Sequence, residues 1–335
     1  MYIVESYGLA VALCWVTMLC WGSWGNTQKL AAKTWRYELF YWDYVIGILF
    51  FSLVWGLTLG STGEAGRGFI PDLLQVSSEN LWSAFLGGVI FNASNILLSA
   101  SMSLAGMSVA FPIGVGLALV LGVFVNYFSA PKGNPIILFL GVFFIVLAII
   151  FNGIASGKVS KASDQNTRKK GILIAICAGI LMAFFYRFVA SAMELDNLET
   201  PTVGIMTPYS ALFVFAIGVF ISNFLFNTLI MRKPFKGIPV SYSQYFKGNP
   251  KTHLVGILGG LIWALGTACS YIAVGKAGAA ISYALGQGAT MVAALWGVFI
   301  WKEFKNASKS INMLLALMLI LFIFGLVLII VSGGN

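Results

Sequence analysis

Nine side chains in this sequence combine reactive or hydrogen-bonding chemistry with an apolar setting. Asp43, in the run Tyr41-Trp42-Asp43-Tyr44, and Glu5 are carboxylates at the margins of long apolar stretches, where an acid can bind and release a proton. Asp43 also falls where an acid in a first helical turn would satisfy free backbone N–H groups and the helix dipole. Arg187 offers a planar fork of donors suited to several substrate oxygens at once. It could instead extend to the membrane surface, toward Glu194, Asp196 and Glu199. Trp21 and Trp24 are three residues apart and share a helical face, a stacking platform for a sugar or flat heterocycle, although Trp24 also suits an interfacial aromatic belt. Asn92 with Asn95, and Tyr283 with Gln287, are spaced for one face of a helix, where amides and a phenol either bond between helices or contact a polar solute.

The elements that must position these groups follow from composition. Of 335 residues, 59% are hydrophobic and only 9% charged, and the mean hydropathy is +0.91. A soluble fold is excluded. About 20 predominantly apolar residues are needed to cross a hydrocarbon core of roughly 30 Å. Ten windows meet that length: 7–26, 41–60, 81–102, 106–128, 136–154, 171–193, 203–228, 253–274, 278–301 and 310–331. The first is expected to stay in the mature chain, because its flank carries Glu5 and no basic residue. Pro112 and Pro208 fall inside windows and are expected to bend them. The four cysteines all lie within apolar windows, and the single histidine, His253, has no second ligand spaced for a metal site. Ser156-Gly157-Lys158 lacks the remainder of a phosphate-loop pattern.

Residues 85–120 and 257–292 align without a gap at an offset of 172, with nine identities in 36 positions, among them Gly87/Gly259, Gly88/Gly260, Gly106/Gly278 and Gly116/Gly288. At the start of each half Gly8, Ala12 and Cys14 match Gly171, Ala175 and Cys177 at a different offset, 163. The reading is an N-terminal repeat over 1–155, a basic linker over 156–170 and a C-terminal repeat over 171–335. Five spans per repeat, an odd number, place the two copies in opposite orientations, the arrangement used for alternating access. Sixteen Lys and Arg residues fall on the side of the odd-numbered connections, against Arg67, Lys132 and Lys276 on the other. The first side should therefore be cytoplasmic and both termini extracytoplasmic. The copies disagree at the candidate residues: Asn92 and Asn95 align with Ala264 and Thr267, Val115 with Gln287, and Trp24 with Arg187. The scaffold repeats while the site does not.

The opening MYIVESYG, the Trp42-Asp43-Tyr44 run, Tyr209-Ser210-Ala211 and the stretch GILGGLIWALGTACSYIAVGKAGAAISYALGQG leading to WGVFIWKEF resemble the ureide permease branch of the drug/metabolite transporter superfamily, which is similar to bacterial glucose/ribose porters. The resemblance implies an all-α integral membrane fold of the EamA-like kind, ten transmembrane helices as two inverted five-helix repeats, and uptake of small neutral polar solutes with protons. Plant members carry a nucleotide-binding-like motif in the central loop, which this chain lacks, so ATP dependence gains no support.

The expectation is thus a secondary transporter in a cell membrane that imports a ureide, nucleobase or sugar by proton symport. Trp21, Trp24, Asn92, Asn95, Arg187, Tyr283 and Gln287 would contact substrate, and Asp43 or Glu5 would carry the coupling proton. No cofactor is expected besides the proton. Expected partners are the substrate, the bilayer and, as an open alternative, a second copy in a homodimer; nucleic acid is not expected. A metabolite or multidrug exporter is the alternative within transporters, but a cation exporter calls for a deep uncompensated carboxylate. A membrane-embedded enzyme would need acids, histidines or cysteines clustered at one depth, and a channel would need a filter sequence.

Overall fold

In the computed structural model, which describes residues 1–159, 165–302, 304–305 and 307–333, ten helical spans are long and apolar enough to cross a membrane. They are formed by α1 (Tyr7–Ala31), α2 (Tyr37–Leu57), α4 (Ser78–Ala105), α5 (Met107–Ser129), α6 (Pro135–Val159), α7 (Gln165–Ala190), α8 (Pro208–Arg232), α10 (Pro250–Ala277), a broken ninth span and α13 (Lys309–Gly333). Two short helices, α3 (Phe69–Gln75) and α9 (Tyr242–Phe246), occupy connections. Residues 160–164 of the expected linker, Lys161 among them, lie outside the described residues; its flanks continue α6 and α7 as helix.

Local chemistry sets the ends of these helices. The side chains of Ser6, Ser77 and Asn249 accept from the first free backbone N–H groups of α1, α4 and α10. Pro250 and Pro208 occupy opening positions, where a missing N–H costs nothing. Pro208 therefore starts α8 and does not bend it, a correction to the expectation from sequence. Asp43 also stands differently from the first-turn reading: α2 begins at Tyr37, which puts Asp43 nearly two turns inside.

The turns between α4 and α5 and between α10 and the ninth span are single glycines of matching geometry, Gly106 at φ 84°, ψ 151° and Gly278 at φ 83°, ψ 152°. Any other residue would be strained at that φ. The ninth span, expected as one helix, is instead α11 (Ala279–Gln287), a break at Gly288, α12 (Ala289–Leu295) and a π-helical turn over Trp296–Ile300. Such interruptions release backbone groups and are found where a span lines a functional cavity.

Helices from the first part of the chain pack mainly on helices from the second. The closest associations are α4 with α7, α1 with α10 and α6 with α13, followed by α5 with α7, α2 with α10 and α4 with α8. Glycines permit two of these crossings. A Cβ on Gly88 of α4 would stand 2.1 Å from the Phe215 carbonyl oxygen of α8, and one on Gly260 of α10 would stand 2.0 Å from that of Tyr44 on α2. Backbones touch there because no side chain intervenes. Large apolar side chains such as Phe50, Leu225 and Ile320 are left facing outward, as a surface solvated by hydrocarbon requires.

Candidate functional site

A tight cavity of about 20 Å³, room for little more than one water, lies among α1, α4, α5, α7, α10 and the ninth span. Its walls are largely aromatic. Trp21 and Trp263 stack with centroids 6.1 Å apart and planes 8° from parallel, and Phe91 lies 4.2 Å from Trp263. Trp24 packs on Tyr44 at 4.8 Å and is 2% exposed, which excludes an interfacial belt for it. The Trp21 indole N–H donates to Thr267 Oγ1 (3.1 Å), so the polar edge of the ring is tied to α10 while Trp21 lines the cavity.

Two amides supply the polarity of these walls. Asn95 donates from Nδ2 to the hydroxyls of Tyr41 (3.2 Å) and Tyr44 (3.3 Å), which fixes its side chain between α4 and α2. Gln287 comes from the last turn of α11, beside the break at Gly288. No charged side chain lines this cavity among the described residues. Aromatic faces with a few amides suit a neutral solute that has flat or C–H-rich faces and a hydrogen-bonding rim.

Of the residues singled out in the sequence, Trp21, Trp24, Asn95 and Gln287 come together here. Asn92 lies elsewhere, donating to Ser222 Oγ of α8 (3.0 Å). Tyr283 is fully buried and donates to the carbonyls of Ala118 (3.2 Å) and Met182 (3.3 Å). Arg187 is exposed and, with Asp196, Glu194, Ser191 and Asn126, lines a separate vestibule of about 660 Å³ at the face away from most basic loops. Glu194 is fixed in that rim. Burial raises its pKa, but backbone N–H groups of Thr202, Asn197 and Asp196 donate to the carboxylate and hold it below the ordinary value. Glu5 is exposed just before α1. Because α1 has 25 residues, about 37 Å at 1.5 Å per residue, Glu5 and Asp43 lie at opposite faces and form no common site.

Asp43 has partners that the sequence reading did not assign. Its Oδ1 accepts from the Tyr245 hydroxyl (2.7 Å) and meets His253 Nδ1 at 2.8 Å. Its Oδ2 is buried and has no partner. The His253 ring is held edge-on by Trp35 (5.1 Å) and Tyr245 (4.9 Å). Asp43 fits here because α10 presents Gly256, where a Cβ would stand 2.4 Å from that of Asp43. Tyr245 lies on α9, which opens with a capping box of Ser241 and Gln244. Burial and the adjacent Asp43 both push the Tyr245 phenol far above its ordinary pKa, so it stays protonated and donates. The cluster thus joins α2, α9 and α10 at the basic face, and no wall of the central cavity includes it. Among the described residues, no three His, Cys, Asp or Glu stand together as metal ligands.

Phe91, Phe111, Phe185 and Trp263 were missed as cavity residues, as were His253 and Tyr245 as partners of Asp43. One signal was available: the ungapped register aligns Phe91 with Trp263, two residues that meet in space. Nothing local to 241–253 announces that its Tyr and His fold back onto α2.

Comparison with known proteins agrees with this architecture. A family model described as ureide permease matches residues 40–170 and again 157–332. Ureide permease 1 of Arabidopsis thaliana is 24% identical over 390 aligned positions spanning the whole of both chains. The glucose uptake protein GlcU of Bacillus subtilis (strain 168) is 28% identical over 225 positions, covering 66% of this chain and 69% of that one. A solved crystal structure shares the fold with a TM-score of 0.58 at 15% identity, covering 95% of this chain and 97% of its own. These relatives are named as permeases and uptake proteins, not as enzymes.

Proposed function

Because this chain belongs to the ureide permease family and is a multi-pass membrane transporter of small metabolites, we propose that it imports a neutral polar solute, a ureide, nucleobase or sugar, through the central cavity. The observation that carries this reading is the composition of the cavity wall: Trp21 and Trp263 offer faces, Asn95 and Gln287 offer amides, and charge is absent among its described lining residues. A cationic or anionic substrate would be desolvated there with nothing to pair it.

Transport proceeds by alternating access between two inverted five-helix repeats. Supporting this, the main helix pairings recur with the two parts exchanged: α4 with α7 is answered by α10 with α1, and α4 with α8 by α10 with α2. The glycine crossings at Gly88 and Gly260 fall at aligned positions, as do the turns at Gly106 and Gly278. The face carrying most Lys and Arg is cytoplasmic, and both termini lie on the other side. Arg187 then stands in the extracytoplasmic vestibule, where it meets the solute before the cavity does.

Coupling to protons is assigned to Asp43 with His253. The pair is remote from the solute, so a proton acts through structure: its gain or loss alters the attachment of α9 and α10 to α2, four residues from the Gly47–Gly260 crossing. Uptake into proteoliposomes of allantoin, uracil, ribose, glucose and rhamnose, with and without an inward proton gradient, tests the whole reading. Accumulation of at least one solute, enhanced by the gradient, is expected; if none accumulates and none competes, the reading is wrong.

A further inference from the structure

Residues on α5 and α11 trace equivalent paths away from the central cavity in opposite directions. On α5, Met107, Phe111 and Val115 are spaced by four and share one helical face. Met107 lines both a basic-face vestibule of about 460 Å³ and a much smaller cavity of about 20 Å³ beneath it. Phe111 lines that smaller cavity and the central one, and Val115 lines the central one. Phe111 is 2% exposed, so its ring is the partition between the two compartments. On α11, Ala279, Tyr283 and Gln287 are also spaced by four. Ala279 lines the vestibule of the opposite face, Gln287 lines the central cavity, and the fully buried Tyr283 lies between them. The 172-residue register aligns Met107 with Ala279, Phe111 with Tyr283 and Val115 with Gln287.

We propose that Phe111 and Tyr283 are the two gates of the transport path, Phe111 closing the central cavity toward the basic face and Tyr283 closing it toward the opposite face. This rests on the alternating-access reading above and adds the residues that perform it. Each gate stands beside a weak point in its helix. Pro112 follows Phe111 and takes a backbone donor out of α5. The nine-residue α11 that carries Tyr283 ends at the Gly288 break, so it can tilt without α12.

The gates differ in how they are held. Tyr283 is fastened by its hydroxyl to the Ala118 and Met182 carbonyls, and its ring fills the space left by Gly122, where a Cβ would stand 2.3 Å from it. Phe111 has no hydroxyl and is held by packing alone. Opening toward the basic face therefore breaks no gate hydrogen bond, whereas opening toward the opposite face must break the Tyr283 bonds.

The test places a reporter thiol in the central cavity, Leu98→Cys, in the full-length chain with Cys14, Cys20, Cys177 and Cys269 replaced. A membrane-impermeant methanethiosulfonate is applied to either face of oriented proteoliposomes. Phe111→Ala should speed modification from the basic face and slow it from the opposite face, and Tyr283→Phe should do the reverse, each by roughly tenfold. Phe111→Leu, which keeps an apolar side chain, should shift labelling in the same direction as Phe111→Ala but less. Changes of the same sign for both gates, or none in well-folded variants, would overturn the proposal. Solute uptake measured on the same vesicles separates the two readings. Unsided labelling with normal uptake removes the gates alone, and sided labelling without uptake keeps them while removing the solute assignment.

Discussion

Phe91 and Trp263, aligned residues 172 positions apart, meet with ring centroids 4.2 Å apart in the wall of the central cavity. Trp21 stacks on Trp263 as well, and Phe215 packs parallel to it at 5.9 Å. The aromatic wall is therefore built where the two parts of the chain contact each other, and any relative movement of those parts must rearrange it.

Removing one plate of the wall should weaken binding without unfolding the bundle. Trp263→Ala is expected to raise the KM of uptake about tenfold, equivalent to ~1.4 kcal/mol of lost stacking, while Trp263→Phe retains most of the affinity. Concentration dependence of initial uptake rates checks this. An unchanged KM in the alanine variant would remove Trp263 from the solute path.

Asp43→Asn should abolish gradient-driven accumulation yet leave solute exchange across the membrane intact, because Asp43 is not among the cavity-lining residues. His253→Gln should do the same, since it leaves the carboxylate without its 2.8 Å partner. Comparing proton-driven uptake with counterflow separates the two activities. Loss of both would mean that the cluster supports folding rather than coupling.

Gly260→Ala and Gly88→Ala should each destabilise the protein by about 1–3 kcal/mol, because the added Cβ meets a backbone oxygen that cannot rotate away. Gly153→Ala on α6 meets nothing within 4 Å and should be neutral or slightly stabilising. Thermal unfolding in one detergent, with the three variants side by side, gives the comparison.

Glu194 contributes a pH-dependent increment to stability. Its folded pKa lies below the ordinary value of 4.5, so the ionised form favours folding. The contribution is fully present above that ordinary value and is lost as pH falls through the lowered one. Glu194→Gln should therefore lower the melting temperature at about pH 7, with the difference from the parent closing as pH falls through that lowered pKa. A pH-independent difference would assign the effect to packing of the Met193–Met206 loop.

Span number, the glycine turns and the amide-and-indole chemistry of the cavity were legible in the sequence because each depends on local composition or spacing. Trp21 and Trp24 share a face by the pitch of a helix alone, and Gly106 and Gly278 are turn residues because no Cβ tolerates their φ. The surroundings of Asp43 were not legible. His253 is 210 residues away and Tyr245 is 202, and the contact exists only because Gly256 lets α10 approach α2. The same holds for Asn92 and Asn95. Identical in type and three residues apart, they look equivalent in the sequence, yet α8 claims one and the cavity the other.

The sequence by itself determined the class of molecule and the number of apolar spans, since a chain this apolar must satisfy its backbone within helices and lipid admits few alternatives. Tertiary structure alone decided which polar groups share a compartment. In a bundle whose surfaces are all apolar, hydropathy does not distinguish the face turned to lipid from the face turned to a partner helix. Close backbone crossings at Gly88 and Gly260 set the helix orientations. Those orientations place Phe111 between two cavities, Tyr283 behind the central one and Arg187 in the vestibule of the face away from most basic loops.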